Sequence, residues 1–386
     1  MLHSSFMIQR RVASGLPLHV ASYADYVRGN DAMNVRPISR AQVRGESKRR
    51  PVAVVTGGNG GIGWWNVLDL SFLGYDVLLC CRNRRRGEDA IEKILRIHQR
   101  RQHERNAAND DGVCCGTVTF VALDLEDESS IRSAAATVMQ RTDNGAHLQV
   151  LINNAGMFSP SLGQRTSFGD ERLVGVNFTG VVLFTELILR ATLAHRRGGA
   201  DEAPPLRIVN VASIAHSWAR VTHANVLNLF SESIKLFSES IKIKPESQQG
   251  PTVNTYGFSK LLLIAYTRAL ATSLKGNTKA NGVVVEANGV VVVSVHPGAV
   301  LTDIFRELGV IASHVMPVVL STIFKQPAEG AETTLFAALS QHVQNGSYYA
   351  DCCNMDAALS PIATDDDLSQ AVLHRARARW GLTATF

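Results

Sequence analysis

The chain has 386 residues, 45% of them hydrophobic, with a formal charge of +5, and its mean hydropathy is near zero; this fits one large α/β unit with appendages. Nine basic residues against three acidic ones fall in the first fifty positions, so the charge excess belongs to a tail, and no aromatic-and-basic pattern marks a nucleic-acid partner. The six cysteines form the adjacent pairs Cys80-Cys81, Cys114-Cys115 and Cys352-Cys353, too close for ordinary disulfides and without Cys-x-x-Cys spacing, which fits an intracellular, reducing compartment.

Residues 1–50 show no sustained periodicity and end in Lys48-Arg49-Arg50. Arg10, Arg11 and four serines precede the first acid, Asp25. That composition suits a mitochondrial transit peptide and a disordered basic tail equally, so cytosolic and mitochondrial placements both stay open. Val52–Thr56 reads as a strand buried on both faces. It runs into Gly57-Gly58-Asn59-Gly60-Gly61-Ile62-Gly63 and a helix-length segment. Strand, glycine turn and helix is the setting in which backbone N–H groups hold a pyrophosphate. The run satisfies three glycine fingerprints at once, and a structural turn also accounts for it.

The second strand, Asp76–Cys81, ends at Arg82 with no acid beside it. An acid there would hold the ribose of NAD; an Arg accommodates the 2′-phosphate of NADP, so NADP(H) is favoured over NAD(H). Val118–Asp124 is the third strand and places Asp124 at its carboxyl end. Leu148–Ile152 is the fourth, ending in Asn153-Asn154-Ala155-Gly156; Leu206–Val211 is the fifth, ending at Ala212-Ser213. Val290–Val295 is the sixth and ends at His296-Pro297-Gly298. Helix-like runs such as Val181–Leu193 separate them, which predicts a Rossmann-type doubly wound parallel sheet with helices on both faces, in a single α/β domain. Two tandem repeats of period seven, at Phe230/Phe237 and Asn281/Asn288, are too few for a solenoid and read as local duplications, the first with helical spacing.

Tyr256-Gly257-Phe258-Ser259-Lys260 opens an apolar helical run. Residues four apart share a helix face, so a phenol and an ammonium sit side by side. The ammonium is expected to lower the phenol's pKa toward the working range of a general acid or base.

Thr56-Gly57-x-x-x-Gly61-Ile62-Gly63, Asn153-Asn154-Ala155-Gly156, Ser213, Tyr256-x-x-x-Lys260 and Pro297-Gly298 occur in one order. In this the chain resembles the short-chain dehydrogenase/reductase family over about residues 51 to 355. Cys81-Arg82-Asn83, Val176–Gly180, Val293–Gly298 and Glu329–Thr333 are similar to its retinol-dehydrogenase and WW-domain-oxidoreductase-like group. The resemblance implies a tetrad: Tyr256 as acid or base, Ser213 on the substrate oxygen, Lys260 lowering the Tyr256 pKa and holding the nicotinamide ribose, and Asn177 organising a water toward Lys260. Ser213 as a helix cap and Asn177 as a satisfied helix Asn are the structural alternatives. It also implies that Asp124 and Leu125 flank the adenine, that Asn153, Ala155 and Gly156 lie along the cofactor with Gly57, Gly61, Ile62 and Gly63, and that Thr302 meets the carboxamide after Pro297 and Gly298. A helix N-cap explains Thr302 almost as well. Dimers or tetramers are frequent in the family.

Three departures stand out. Trp64-Trp65 follows the glycine turn where smaller residues are usual. Ser213 and Tyr256 are 43 positions apart, so an insertion of about residues 216–250 emerges near the site. The apolar Leu308–Phe324 run falls where the family has its substrate lid; it suits a lipophilic carbonyl or alcohol taken from a membrane surface, and core packing serves equally. Residues 356–386 read as a C-terminal extension. The leading expectation is an NADP(H)-dependent oxidoreductase of apolar carbonyls and alcohols; the competing one is an NADP-binding sensor or scaffold, which needs only the glycine turn.

Overall fold

The β-branched run Val52–Thr56 forms strand β1, with all five residues buried. In the computed structural model, which describes residues 50–107, 115–158, 163–197, 205–221, 226, 251–275, 279–280, 283–284, 289–298, 300 and 325–383, β1 lies at the middle of a sheet. The glycine turn leads from it into helix α1 (Gly61–Phe72), strand β2 (Asp76–Cys81) and helix α2 (Arg84–Ala107). Strand β3 (Val118–Ala122), helix α3 (Glu128–Arg141) and strand β4 (Leu148–Asn153) follow. Helix α4 spans Arg172–Arg197 and contains a π-helical turn at Gly175–Thr179. Strand β5 (Leu206–Val211), a 3₁₀ turn (Ile214–Trp218), helix α5 (Pro251–Ser273) and strand β6 (Val290–His296) come next. Helix α6 (Pro327–Leu339), strands β7 (Tyr348–Ala350) and β8 (Cys353–Asn354) and helix α7 (Asp366–Arg379) complete the main sheet and its helices, beside a separate pair of two-residue strands, Lys279–Ala280 and Val283–Val284.

Among the described residues eight strands form one sheet in the order β8-β7-β6-β5-β4-β1-β2-β3. All pairs are parallel except β7 with β8. Val54 of β1 is in register with Leu78 of β2 and Leu151 of β4. Alternation along the strands divides the apolar residues between two cores. Val52 and Val54 join α3, α4, α5 and α7 on one face; Ala53 and Val55 join α1, α2 and α6 on the other. Chain order reverses at β1, where the strands on its two sides are β2 and β4. Ligands of open α/β sheets bind outside the carboxyl ends of the strands at such a point.

The expected sheet is present. Its third strand stops at Ala122, short of Asp124, and β6 extends one residue further, to His296. Strands β7 and β8 were not expected; they are three and two residues long, too short for a periodic signal. The stretch set apart as a C-terminal extension carries α7, whose Leu368, Val372, Leu373 and Ala376 are buried in the first core. Thr302, the Leu308–Phe324 run and the Phe230/Phe237 repeat lie outside the described residues.

Candidate active site

Tyr256 and Lys260 sit one turn apart on α5, as their spacing requires. Lys260 is almost fully buried. Its Nζ donates to the carbonyl of Val211 at 2.8 Å and lies 5.7 Å from the centre of the Tyr256 ring. Ser213 follows β5 directly. Its Oγ accepts from the Ala215 N–H at 3.2 Å, capping the 3₁₀ turn, and it lies close enough to the Tyr256 phenol to lower that group's pKa. The capping alternative and the catalytic placement therefore coexist in one hydroxyl.

The electrostatics differ from the sequence expectation. Tyr256 is not acidified by Lys260: burial pushes its pKa up to about 12, and the Ser213 hydrogen bond opposes this only in part. Burial also lowers Lys260 to about 8. The larger cause is the same for both, since a charge on either group would be poorly solvated. Part of the Tyr256 surface remains open to solvent, but the protein packed around the ring desolvates its phenolate.

Asn177 lies in the π turn of α4, a helix defect often found at functional sites. Its side chain accepts from the Met157 N–H at 2.8 Å and donates to the Met157 carbonyl at 2.9 Å and to Ser259 Oγ at 3.2 Å. It thereby ties the segment after β4 to α5. A Cβ added to Gly156 would stand 3.3 Å from Asn177 Oδ1 and 3.4 Å from Lys260 Nζ. Asn177 and Lys260 thus border one space, kept open because Gly156 has no side chain. Phe158, which the sequence reading did not single out, meets the Tyr256 ring edge-on at 5.5 Å.

The glycine turn has the geometry of a dinucleotide cradle. Gly57 has φ of +65°, where a side chain is strained, and a Cβ on Gly63 would come within 2.3 Å of the Gly57 carbonyl oxygen. Thr56 Oγ1 accepts from the Ala155 N–H at 2.9 Å. Asn154 Nδ2 donates to the Thr56 carbonyl at 3.0 Å. These bonds fasten the turn to the end of β4. The first turn of α1 has neither a side-chain cap nor an acid, which leaves its N–H groups available to an anion.

This arrangement has relatives. The family model for the short chain dehydrogenase matches residues 51–225. Retinol dehydrogenase 11 of Mus musculus is 32% identical over 307 residues, 78% of this chain and 78% of that one. Retinol dehydrogenase 14 of the same species is 30% identical over 321 residues, 82% of each chain. Among solved structures, salutaridine reductase from Papaver somniferum aligns with a TM-score of 0.53 at 23% identity, covering 78% of this chain and 99% of that one. The chain belongs to the short-chain dehydrogenase/reductase family. Within it the chain falls in the retinol-dehydrogenase-like group, and as a member it is an NAD(P)-dependent oxidoreductase.

The remaining predicted residues of this dehydrogenase/reductase divide by location. Gly57, Gly61, Gly63, Ala155 and Gly156 gather at the glycine turn and the end of β4, whereas three others turn into the protein. Asn153 is buried and donates to Thr185 Oγ1 and Asn210 Oδ1, both at 2.8 Å. Its neighbour Asn154 is the one at the turn, because successive strand side chains point to opposite faces. That alternation could have separated the two in the sequence, though not said which faced the site. Leu125 is buried in the first core and Ile62 in the second. Asp124 and Arg82 stand together beyond β3 and β2, with Arg82 Nη1 2.7 Å from Glu126 Oε1 and 3.9 Å from Asp124 Oδ2. Pro297 is buried. Gly298, at φ +93°, packs against Lys325, whose ammonium is paired with Asp351.

Proposed function

We propose that this enzyme uses NADP(H) to interconvert an apolar aldehyde or ketone and its alcohol, with Tyr256 as the acid and base. The observation that carries the reading is the Tyr256 phenol beside the Ser213 hydroxyl, with the buried Lys260 Nζ 5.7 Å from the Tyr256 ring centre. The cofactor, when bound, supplies or accepts the hydride. Tyr256, protonated at neutral pH, gives its proton to the substrate oxygen as that oxygen gains charge in reduction. Ser213 holds the same oxygen. Lys260 stabilises the resulting phenolate through its charge, which it carries increasingly as pH falls below about 8. Asn177 and Gly156 keep the space beside Lys260 open.

Phe158 beside Tyr256, together with Ile214 and Trp218 just after Ser213, 49% and 44% exposed, supports an apolar substrate. The absence of an acid at the end of β2 supports NADP. The test is NADPH consumption with a panel of long-chain and cyclic aldehydes and ketones. We expect turnover that falls by about 10²–10⁴ in Tyr256→Phe, with cofactor affinity retained. A Tyr256→Phe protein as fast as wild type would remove Tyr256 from the chemistry; no turnover of any member would favour a binding scaffold.

A further inference from the structure

We propose that Arg379, the last residue of α7, is a positioning residue for Asn177, acting through Asp170 and the π turn of α4. This rests on the role given to Asn177 above. A π turn is rare and persists where the surrounding structure holds it. Here the Gly180 N–H reaches back to the Gly175 carbonyl, and Asn177 is the middle residue of the turn.

Both ends of the turn are met by one loop, residues 166–170, which precedes α4. At the first end, a Cβ added to Gly175 would come within 2.3 Å of Thr166 Cγ2, so Thr166 is seated directly against the turn. At the other end, the buried Thr179 hydroxyl lies close enough to the Asp170 carboxyl to lower that group's pKa. Thr166 and Asp170 are bonded to each other. The Thr166 N–H donates to the Asp170 carbonyl at 2.9 Å, and the Asp170 N–H donates to Thr166 Oγ1 at 3.1 Å. The two contacts on the turn therefore move together.

Arg379 fixes this loop from outside. Its Nη2 is 2.9 Å from Asp170 Oδ1 and donates to the Phe168 carbonyl at 2.6 Å. Its guanidinium lies over the Phe168 and Trp380 rings at 5.9 and 5.6 Å, and those rings meet edge-on at 5.4 Å. Asp170 is buried, and burial raises its pKa; Arg379 is the stronger of the two cations that oppose this, Arg165 the weaker. Without Arg379 the carboxyl would take up a proton or turn toward solvent, and either change alters its hold on Thr179. Arg377, two residues earlier, ties α7 to Glu186 of α4. The polar contacts of Arg379 go instead to the loop that carries the π turn. Asn177 holds Met157 and Ser259 from within that turn, so a shift of the turn alters the space beside Lys260.

The test measures NADPH-dependent carbonyl reduction and urea unfolding of the full-length chain as wild type, Arg379→Gln, Arg379→Lys, Asn177→Ala and the Arg379→Gln/Asn177→Ala double variant. Arg379→Gln is expected to lower kcat about tenfold, a fraction of what a misplacement of about 1 Å can cost, with NADPH affinity kept. Arg379→Lys, which retains the charge, is expected to recover part of that loss. In the Asn177→Ala background Arg379→Gln is expected to change kcat little, because its effect runs through Asn177. An equal loss in both backgrounds overturns the proposal, and so does a lowered denaturant midpoint with kcat unchanged. If Arg379→Gln does not fold, Asp170→Asn/Arg379→Gln removes both charges and leaves no unpaired buried ion; the same cycle with Asn177→Ala then decides. If Asn177→Ala is as fast as wild type, the role given to Asn177 fails and takes this assignment with it.

Discussion

Lys260 is the residue where burial and function pull hardest against each other. Its ordinary pKa of 10.5 falls to about 8 in the fold. Between those values the unfolded chain binds the extra proton, so this group makes stability rise with pH across that window; below pH 8 the whole cost of charging a buried amine is present. Lys260→Met should therefore gain stability relative to wild type at pH 7, and the gap should shrink by roughly 3 kcal/mol toward pH 10. Losing the bond to the Val211 carbonyl subtracts equally at both pH values, so urea unfolding at pH 7 and 10 isolates the titration. A gap that does not move with pH would mean that Lys260 titrates normally in the native state. The pairing of Tyr256 with Lys260 was legible because helical spacing fixes it. The direction of the Tyr256 shift was not, since desolvation depends on what packs around α5 and no local spacing reports that.

At the scale of elements, three helices on one face meet at a single buried carboxylate. Glu186 of α4 is fully buried. Its Oε1 accepts from Arg377 Nε of α7 at 3.0 Å and from the Tyr266 hydroxyl of α5 at 3.1 Å; its Oε2 accepts from Arg190 at 3.3 Å. Removing one member leaves desolvated charges without a partner, which costs more than the intact network contributes. Glu186→Ala is expected to lower stability by about 3–5 kcal/mol, read as a drop in denaturant midpoint. A loss below about 1 kcal/mol would mean that apolar packing alone joins these helices. The sequence showed α4 and α5 by their apolar runs. It did not show that an acid on one and an arginine and a tyrosine far along the chain would converge, because that depends on how the sheet arranges its crossovers.

For the whole molecule, α7 is the element whose importance differs most from its appearance in the sequence. It is polar in composition, with Asp366 and Asp367 in its first turn and Arg377 and Arg379 in its last. Its buried stripe of Leu368, Val372, Leu373 and Ala376 nonetheless packs in the first core, mainly against α5. Removing that stripe exposes apolar surface of α5, the helix that carries Tyr256 and Lys260. A chain truncated after Ala363 should lose its cooperative thermal transition and its cofactor binding together. A truncated protein that still melts cooperatively would show that α7 is dispensable.

The strand cores, the glycine turn after β1 and the one-turn spacing of Tyr256 and Lys260 followed from the sequence by itself, because alternation, steric demand and helical period act over a few residues. Where each of those residues would point was settled by long-range packing. Asn153 went to the core and Asn154 to the turn; Leu125 and Ile62 became core residues; Ser213 came to cap a turn and to lie beside Tyr256 at the same time. Arg82 acquired its acidic neighbours only when β2 and the loop after β3 were brought side by side. Those outcomes depend on register and on the charges of neighbouring elements, and only the folded sheet brings these together.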